Sequence, residues 1–319
     1  MKVLETARKV ADGSAHVRVD IEALERFSRK LLADEVTVPP WEALYHFRGE
    51  DEETVAYLLV LDTINFCFWP APGKAKWKIQ YESGWLSGYY ALSAALKEAL
   101  ESGIPLTNPE YLVSLSLDQL KDVLGGDGEL QLVGPRVENL RELGRVLLEE
   151  FEGKAHHLVA GAGRSAVRLA RLLAEKLLSF RDVAEYQGHK VYFYKRAQIL
   201  AADLYGAFDG QGWGRFTDME ELTAFADYKL PQVLRHVGIL HYGNDLADKV
   251  DRKLYLEAGG PEEVEIRATT IWAVELIRQE LTKLGKNLKA FEVDWILWNL
   301  GQKEVFKERP YHRTVTIFY

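Results

Sequence analysis

Apolar residues recur at helical spacing along most of this chain, and that spacing limits its fold more than any other feature. In 165–180, Ala166, Leu169, Ala170, Leu173 and Leu177 form one stripe, while Arg168, Arg171 and Lys176 fall mostly elsewhere. That is the pattern of an amphipathic helix. The same spacing predicts helices over 20–32, 53–65, 89–101, 136–151 and 269–284. Strand signals are few. Trp77-Lys78-Ile79-Gln80-Tyr81 alternates, Glu82-Ser83-Gly84 turns, and Trp85 resumes, which reads as a hairpin. Lys190-Val191-Tyr192-Phe193 and the tail 314–319 are the other short β candidates. The expected fold is mostly α with one small sheet. Gly125-Gly126-Asp127-Gly128 is a loop, so residues 1–319 are read as one compact domain, with a candidate division into two lobes near 125–135.

Composition supports a packed core. The chain has 319 residues, 47% hydrophobic and 28% charged, which argues against disorder over most of its length. The formal net charge of −8 argues against a dedicated nucleic-acid binder, but leaves room for a local basic pocket for one phosphate. The single cysteine, Cys67, lies in the apolar run Ile64-Asn65-Phe66-Cys67-Phe68-Trp69. It excludes an intrachain disulfide and a cysteine-rich zinc site, and is read as a buried thiol in a reducing cytoplasm. Residues 1–12 do not read as a signal peptide, and no apolar stretch approaches the roughly 18 residues of a membrane span.

Two motifs attract attention and lose it. Gly161-Ala162-Gly163-Arg164-Ser165 precedes a helix but lacks the Gly-Lys-Ser/Thr ending of a phosphate loop, and Gly and Ser are ordinary helix-start residues. His156 and His157 are adjacent and therefore diverge, whereas a metal pair on a helix prefers a spacing of about four. No metal signature emerges.

Three segments carry more chemistry. In Tyr192-Phe193-Tyr194-Lys195-Arg196-Ala197-Gln198, two cations stand at an expected helix start, where they oppose the helix dipole. A ligand phosphate or a nearby carboxylate would compensate Lys195 and Arg196; a solvated basic helix start is the alternative. Arg196 and Asp203 lie two turns apart on one face, which suggests an internal ion network. Next, Thr217 and Glu220 fit a capping box for a helix through 222–226, and Pro231 suits the first turn of another over 232–240. Asp227 then falls in the bend between two helices, away from the expected cap position at Leu230. It either stabilises the turn or serves as a catalytic anion. Finally, Asp294, Trp298, Trp295 and Asn299 span one helical arc of about 140°, opposite Ile296, Leu297 and Leu300. Such a face suits a planar polar ligand, unless Asp294 simply serves the helix's first turn. His46 follows the aromatic-rich turn that begins at Trp41 and is either structural or functional.

These segments resemble the queuosine salvage proteins, the queuosine 5′-phosphate N-glycosylase family. The matching strings include Leu61-Asp62-Thr63-Ile64-Asn65-Phe66, Tyr81 with Ser87-Gly88-Tyr89, Gly103-Ile104-Pro105, and Phe193-Tyr194-Lys195-Arg196-Ala197-Gln198-Ile199-Leu200. Phe225-Ala226-Asp227-Tyr228-Lys229-Leu230-Pro231-Gln232-Val233-Leu234, Glu263-Val264-Glu265-Ile266-Arg267, and Pro310-Tyr311-His312-Arg313 with Tyr319 continue the series, in order, over nearly the whole chain. The resemblance implies a helical DNA-glycosylase-like architecture with a helix-hairpin-helix-like element. It implies hydrolysis of queuosine 5′-phosphate to queuine and ribose 5-phosphate, without metal or organic cofactor. It places the catalytic carboxylate on Asp227 and ligand contacts on Phe225, His46, Asp294, Trp295 and Asn299. Trp295 and Asn299 depart from a common family form, Asp-Tyr-Tyr-Leu-Trp-Asp, by losing a hydroxyl and a charge. Lys195 and Arg196 are phosphate candidates by charge and position alone.

The expected partner is thus a small nucleotide, with no stable nucleic acid and no membrane. Asp227 would support positive charge building on the sugar, while Phe225 and an indole hold the base and Asp294 bonds its edge. The alternatives are a protein that binds a modified nucleotide or transfer RNA without chemistry, and a DNA glycosylase. The net charge of −8 disfavours both nucleic-acid versions.

Overall fold

The computed structural model describes residues 2–41 and 43–319; Met1 and Glu42, the latter in the string that precedes His46, lie outside the described residues. The fold is mostly α-helical. The helices expected from apolar spacing are present as Ile21–Ala33, Asp51–Thr63, Tyr89–Glu101, Val133–Glu150, Ala166–Lys176 and Pro261–Lys283. Local chemistry sets several starts: the Asp20 carboxylate accepts the Ala23 amide, and the Ser165 hydroxyl accepts the Arg168 amide. The long helix begins eight residues before its visible periodicity, at Pro261, which suits a first helical position. Its early turns are buried on every side, Glu263, Glu265 and Arg267 along with Val264, Ile266 and Ala268, so no one-sided stripe announces them.

The chain divides into two compact units. The first comprises Met1–Pro40, Asp182–Gln198 and Asp218–Thr316. Its main core gathers Leu24, Leu230, Leu234, Ile277, Val293 and Leu297 from four helices. A second cluster packs Val3, Ala7 and Val10 with Val191, Val264 and Ile271. The antiparallel strands Val17–Val19 and Leu240–Tyr242 pair within this unit, as do Val183–Tyr186 and His189–Tyr192.

The second unit comprises Trp41–Arg181, Ile199–Thr217 and Ile317–Tyr319. Its helix Asp51–Thr63 is buried around most of its circumference, including Tyr57, Leu58, Leu59 and Leu61. The hairpin Lys78–Tyr81 and Gly84–Ser87 lies where alternation predicts it. Gly126 packs against that hairpin, with a positive φ of 81°. A Cβ there would come within 2.4 Å of the Lys78 carbonyl oxygen, so only glycine fits. Arg136 is buried and donates to the Ile64, Phe66 and Gln131 carbonyls, replacing ladder partners in irregular backbone. Cys67 is buried, and its amide donates to the Tyr319 carbonyl. Among the described residues, no helix is long and apolar enough to cross a membrane.

Four expectations need correction. The β structure among the described residues is three separate two-stranded sheets rather than one. The tail 314–319 forms no strand; Arg313 makes one isolated bridge with Tyr255. Residues 217–226 hold only the 3₁₀ turn Met219–Glu221, followed by irregular chain that starts extended at Leu222. The Thr217 hydroxyl donates to the Arg164 carbonyl instead of capping, and 222–226 is buried throughout, which a surface helix with one apolar face cannot achieve. The next helix is Lys229–His236, and Leu240 opens a strand instead of closing the helix. Gly238, at φ 78°, supplies the left-handed residue just beyond the helix end.

Candidate functional site

In the first unit, the irregular stretch ahead of Asp227 belongs to no helix or strand, so its peptide groups need other partners. Side chains supply them. Gln198 Oε1 accepts the Thr223 amide at 2.9 Å, and Gln198 Nε2 donates to the Phe193 carbonyl at 2.8 Å. The Phe225 amide donates to Asp294 Oδ1 at 2.7 Å. Arg267 Nε donates to the Ala226 carbonyl at 3.1 Å. This fixes the chain on both sides of buried Phe225 and immediately before Asp227.

Asp227 then ends the stretch and starts a helix. Its Oδ1 accepts the amides of Lys229 at 2.7 Å and Leu230 at 3.0 Å. Pro231 has no amide, so this one oxygen serves both donors among the first three helical positions. Asp227 thus holds the turn, one of the two roles the sequence left open, while the expected cap position is corrected: the helix starts at Lys229, with Tyr228 rather than Leu230 at its cap position. The bend lies between irregular chain and a helix, not between two helices. Oδ2 takes part in neither amide bond.

Asp294 is buried in the second turn of Ala290–Leu300. It does not serve that helix's first turn, where Glu292 accepts the Lys289 amide. Burial, and then the neighbouring Asp227 charge, push the Asp294 carboxyl well above the usual carboxylate range, against the Phe225 amide and the Lys195 charge. Burial also raises Asp227, offset in part by Lys195 and by the Leu230 and Lys229 amides. Two interacting buried carboxyls whose surroundings differ are the ingredients of acid–base chemistry.

Lys195 and Arg196 are both buried, which removes the reading of a solvated helix start. The Lys195 amide donates to Asp182 Oδ2 at 3.1 Å. Asp182 is clamped by Arg267 through two bonds of 2.9 and 2.6 Å, so a carboxylate stands at the helix start, where it favours the dipole. Trp295 is half-buried and meets Phe291 edge-on at 5.3 Å. Asn299 is exposed and donates to the Trp295 carbonyl of its own helix, while Trp298 packs on the core. The structure thus brings Lys195, Phe225, Asp227 and Asp294 together and leaves Asn299 on a solvent-facing turn.

His46 belongs to the second unit and is buried there. Its Nε2 lies 2.8 Å from the Tyr89 hydroxyl, which donates to Asp203 Oδ2 at 3.1 Å. The Trp41 ring lies 4.2 Å from the His46 ring, tilted by 36°, and its indole N–H donates to Asp203 Oδ1 at 3.3 Å. Sequence reasoning noted Asp203 only as an ion-network member and passed over Tyr89, Asp182 and Arg267 as site residues. Arg267 had one usable signal, its place in the family-like string Glu263-Val264-Glu265-Ile266-Arg267. His156 and His157 pair with Glu52 and Glu152, respectively. Ser165 caps its helix, in keeping with the plain reading of the Gly-rich turn.

Comparison with known proteins adds a direct result. The family model described as queuosine salvage protein matches residues 45–319. A Sphaerobacter thermophilus protein named queuosine 5′-phosphate N-glycosylase/hydrolase is 48% identical over 317 residues, covering 99% of this chain and 97% of that protein. A Mus musculus protein of the same name is 39% identical over 330 residues, covering 99% and 98%. One from Bos taurus is 36% identical over 333 residues, with the same coverage.

Proposed function

The chain belongs to the queuosine salvage protein family, and on that footing we propose that it hydrolyses the N-glycosidic bond of queuosine 5′-phosphate, releasing queuine and ribose 5-phosphate. The observation that carries the chemistry is the buried pair Asp227 and Asp294 beside Lys195. Cleavage moves the bonding electrons onto the base and leaves positive charge on the sugar. Asp227, its Oδ1 anchored by two amides, presents Oδ2 to that charge or to the attacking water. Asp294, held towards its neutral form, accepts the Phe225 amide on Oδ1 and carries its proton on the other oxygen. That proton serves the heteroatom edge of the departing 7-deazaguanine. Water supplies hydroxide to the sugar and a proton to the base, so the atoms balance.

Phe225 and half-buried Trp295 are the aromatic contacts for the base, with Asn299 as a further ligand contact. Lys195 and Arg196 are the cations for the 5′-phosphate, and Lys195 also favours the ionised form of Asp227. No cofactor or stable nucleic-acid partner enters the scheme. A DNA-glycosylase-like helical architecture is part of the proposal, supported by the predominance of helix. The lone buried thiol Cys67 fits a reducing cytoplasm. Incubation with queuosine 5′-phosphate, with free queuine followed by chromatography, tests the reading. Queuine from the wild type and a loss of at least about a hundredfold in Asp227→Asn is the expected result. Intact nucleotide bound by a folded, inactive wild type overturns it.

A further inference from the structure

Arg267 is buried in the long helix Pro261–Lys283, and within the first unit its guanidinium holds two stretches of chain that are remote in sequence. Its Nε donates at 3.1 Å to the carbonyl of Ala226, the residue immediately before Asp227. Its other two nitrogens donate to the two oxygens of Asp182 at 2.9 and 2.6 Å. Asp182 in turn receives three successive amides. Its backbone carbonyl accepts those of Phe193 at 3.0 Å and Tyr194 at 3.1 Å, and its Oδ2 accepts that of Lys195 at 3.1 Å. Tyr194 has a φ of 49°, a left-handed conformation that residues other than glycine rarely adopt, so the backbone entering Lys195 depends on these bonds for its direction. The Arg267 guanidinium also lies 3.9 Å from the Phe193 ring centre, over the face of that ring. One planar fork thus ties the stretch that leads into Lys195 to the stretch that leads into Asp227. A guanidinium offers its donors in fixed directions, whereas an ammonium is a point charge on a flexible stem and cannot hold both stretches at once.

Resting on the hydrolase reading of this site, we propose that Arg267 and its partner Asp182 are positioning residues for the reaction, setting where the Lys195 cation stands relative to the Asp227 carboxylate. Neither is assigned a contact with substrate. Asp227 is faced by Lys195, by Lys229 of its own helix and by Asp294. Burial raises its carboxyl, and the Lys195 charge is the leading influence that opposes burial. Behind this group, Arg267 is met by Glu263 at 3.4 Å and by the charge-free imidazole of buried His312. Loosening the fork leaves all of these residues in the protein but lets Lys195 and Asp227 drift apart. Asp227 then holds its proton to higher pH and is the carboxylate needed for cleavage over a narrower range.

The test follows kcat on queuosine 5′-phosphate against pH in the full-length protein, for wild type, Arg267→Lys and Asp182→Asn. Arg267→Lys keeps the charge but reaches only one of the two stretches. Asp182→Asn keeps the side-chain shape but removes one acceptor from the fork. In each variant the acid limb of the profile, where Asp227 takes up its proton, is expected to move up by about one pH unit, with kcat at the optimum lower by about tenfold or more. A merely structural role would lower the folded fraction, and with it the apparent kcat, while leaving the limb in place. An acid limb that coincides with wild type in folded Arg267→Lys therefore overturns the proposal, however far kcat has fallen. If Arg267→Lys does not fold, the same comparison in Asp182→Asn decides. Should wild type leave the nucleotide intact, the hydrolase reading fails, and hydrogen exchange tests the fork by itself. Faster exchange in Arg267→Lys at the amides of Phe193 to Lys195 together with those of Lys229 and Leu230 upholds the joint hold on both stretches. Unchanged exchange at either set overturns it.

Discussion

Asp294 carries a sharp conflict between what the fold needs and what the chemistry needs. The fold needs an acceptor for the Phe225 amide at 2.7 Å; the chemistry needs a proton. Asp294→Asn separates the two, since its amide oxygen still accepts and its NH₂ cannot be given away. We expect kcat to fall about 10²–10⁴-fold. Stability should move the other way. The folded carboxyl, raised chiefly by burial, keeps its proton at a pH where the unfolded one has lost it. Wild type therefore loses stability as pH rises through the folded pKa, because ionising the buried acid opposes folding. The amide has nothing to ionise. Thermal unfolding should show Asp294→Asn above wild type at pH 8, with the difference shrinking as pH falls towards the ordinary carboxylate range. A variant that keeps near-normal kcat would remove Asp294 from the acid role.

At the scale of elements, the segment 222–226 shows what helical patterning can and cannot reveal. Spacing announced several helices, Tyr89–Glu101 with the expected bounds, but not the one-sided helices Val3–Asp12 and Asn244–Asp251. The fully buried stretch Leu222, Thr223, Ala224, Phe225 and Ala226 has no period to read, and its peptide groups are held by distant partners. Gln198 lies 25 residues away, Arg267 41 and Asp294 69 from the groups they hold. The family-like strings marked Phe225 and Asp227 without showing this scaffold. Its weight is testable at Gln198. Gln198→Ala strands the buried Thr223 amide and Phe193 carbonyl, and a buried unsatisfied group costs about 1–3 kcal/mol. Urea unfolding should register a loss in that range. Hydrogen exchange should accelerate at Thr223 and Phe225 before it does in the helix Tyr89–Glu101. Uniform acceleration across both would mean that Gln198 supports the fold generally instead of this segment.

The first unit is assembled from three separate stretches of chain, so its central ion pairs join residues far apart in sequence: Asp182 meets Arg267 across 85 positions. No composition shift marks such an assembly, which is why Asp182 and Arg267 were invisible as partners while the helices around them were not. The same arrangement places His312 where it must stay neutral. Burial, reinforced by the Arg267 charge, pushes its imidazole from 6.5 down to about 3. The unfolded chain therefore binds a proton between those values that the folded chain refuses, and stability falls as pH drops through that window. For this one group the loss between pH 7.5 and pH 5 is about 2 kcal/mol. Asp227 and Asp294, raised by burial, act in the opposite sense, since protonating them relieves the native state. These three groups oppose one another: His312 resists protons, while Asp227 and Asp294 hold them. His312→Gln removes one side of this opposition. Its stability should decline less than that of wild type from pH 7.5 to 5, whatever its absolute value at pH 7.5. Asp294→Asn should decline more steeply than wild type over any part of that range where Asp294 titrates. Parallel curves for wild type and His312→Gln would show that the imidazole reaches its proton in the folded state, and that its burial does not govern how this protein meets acid.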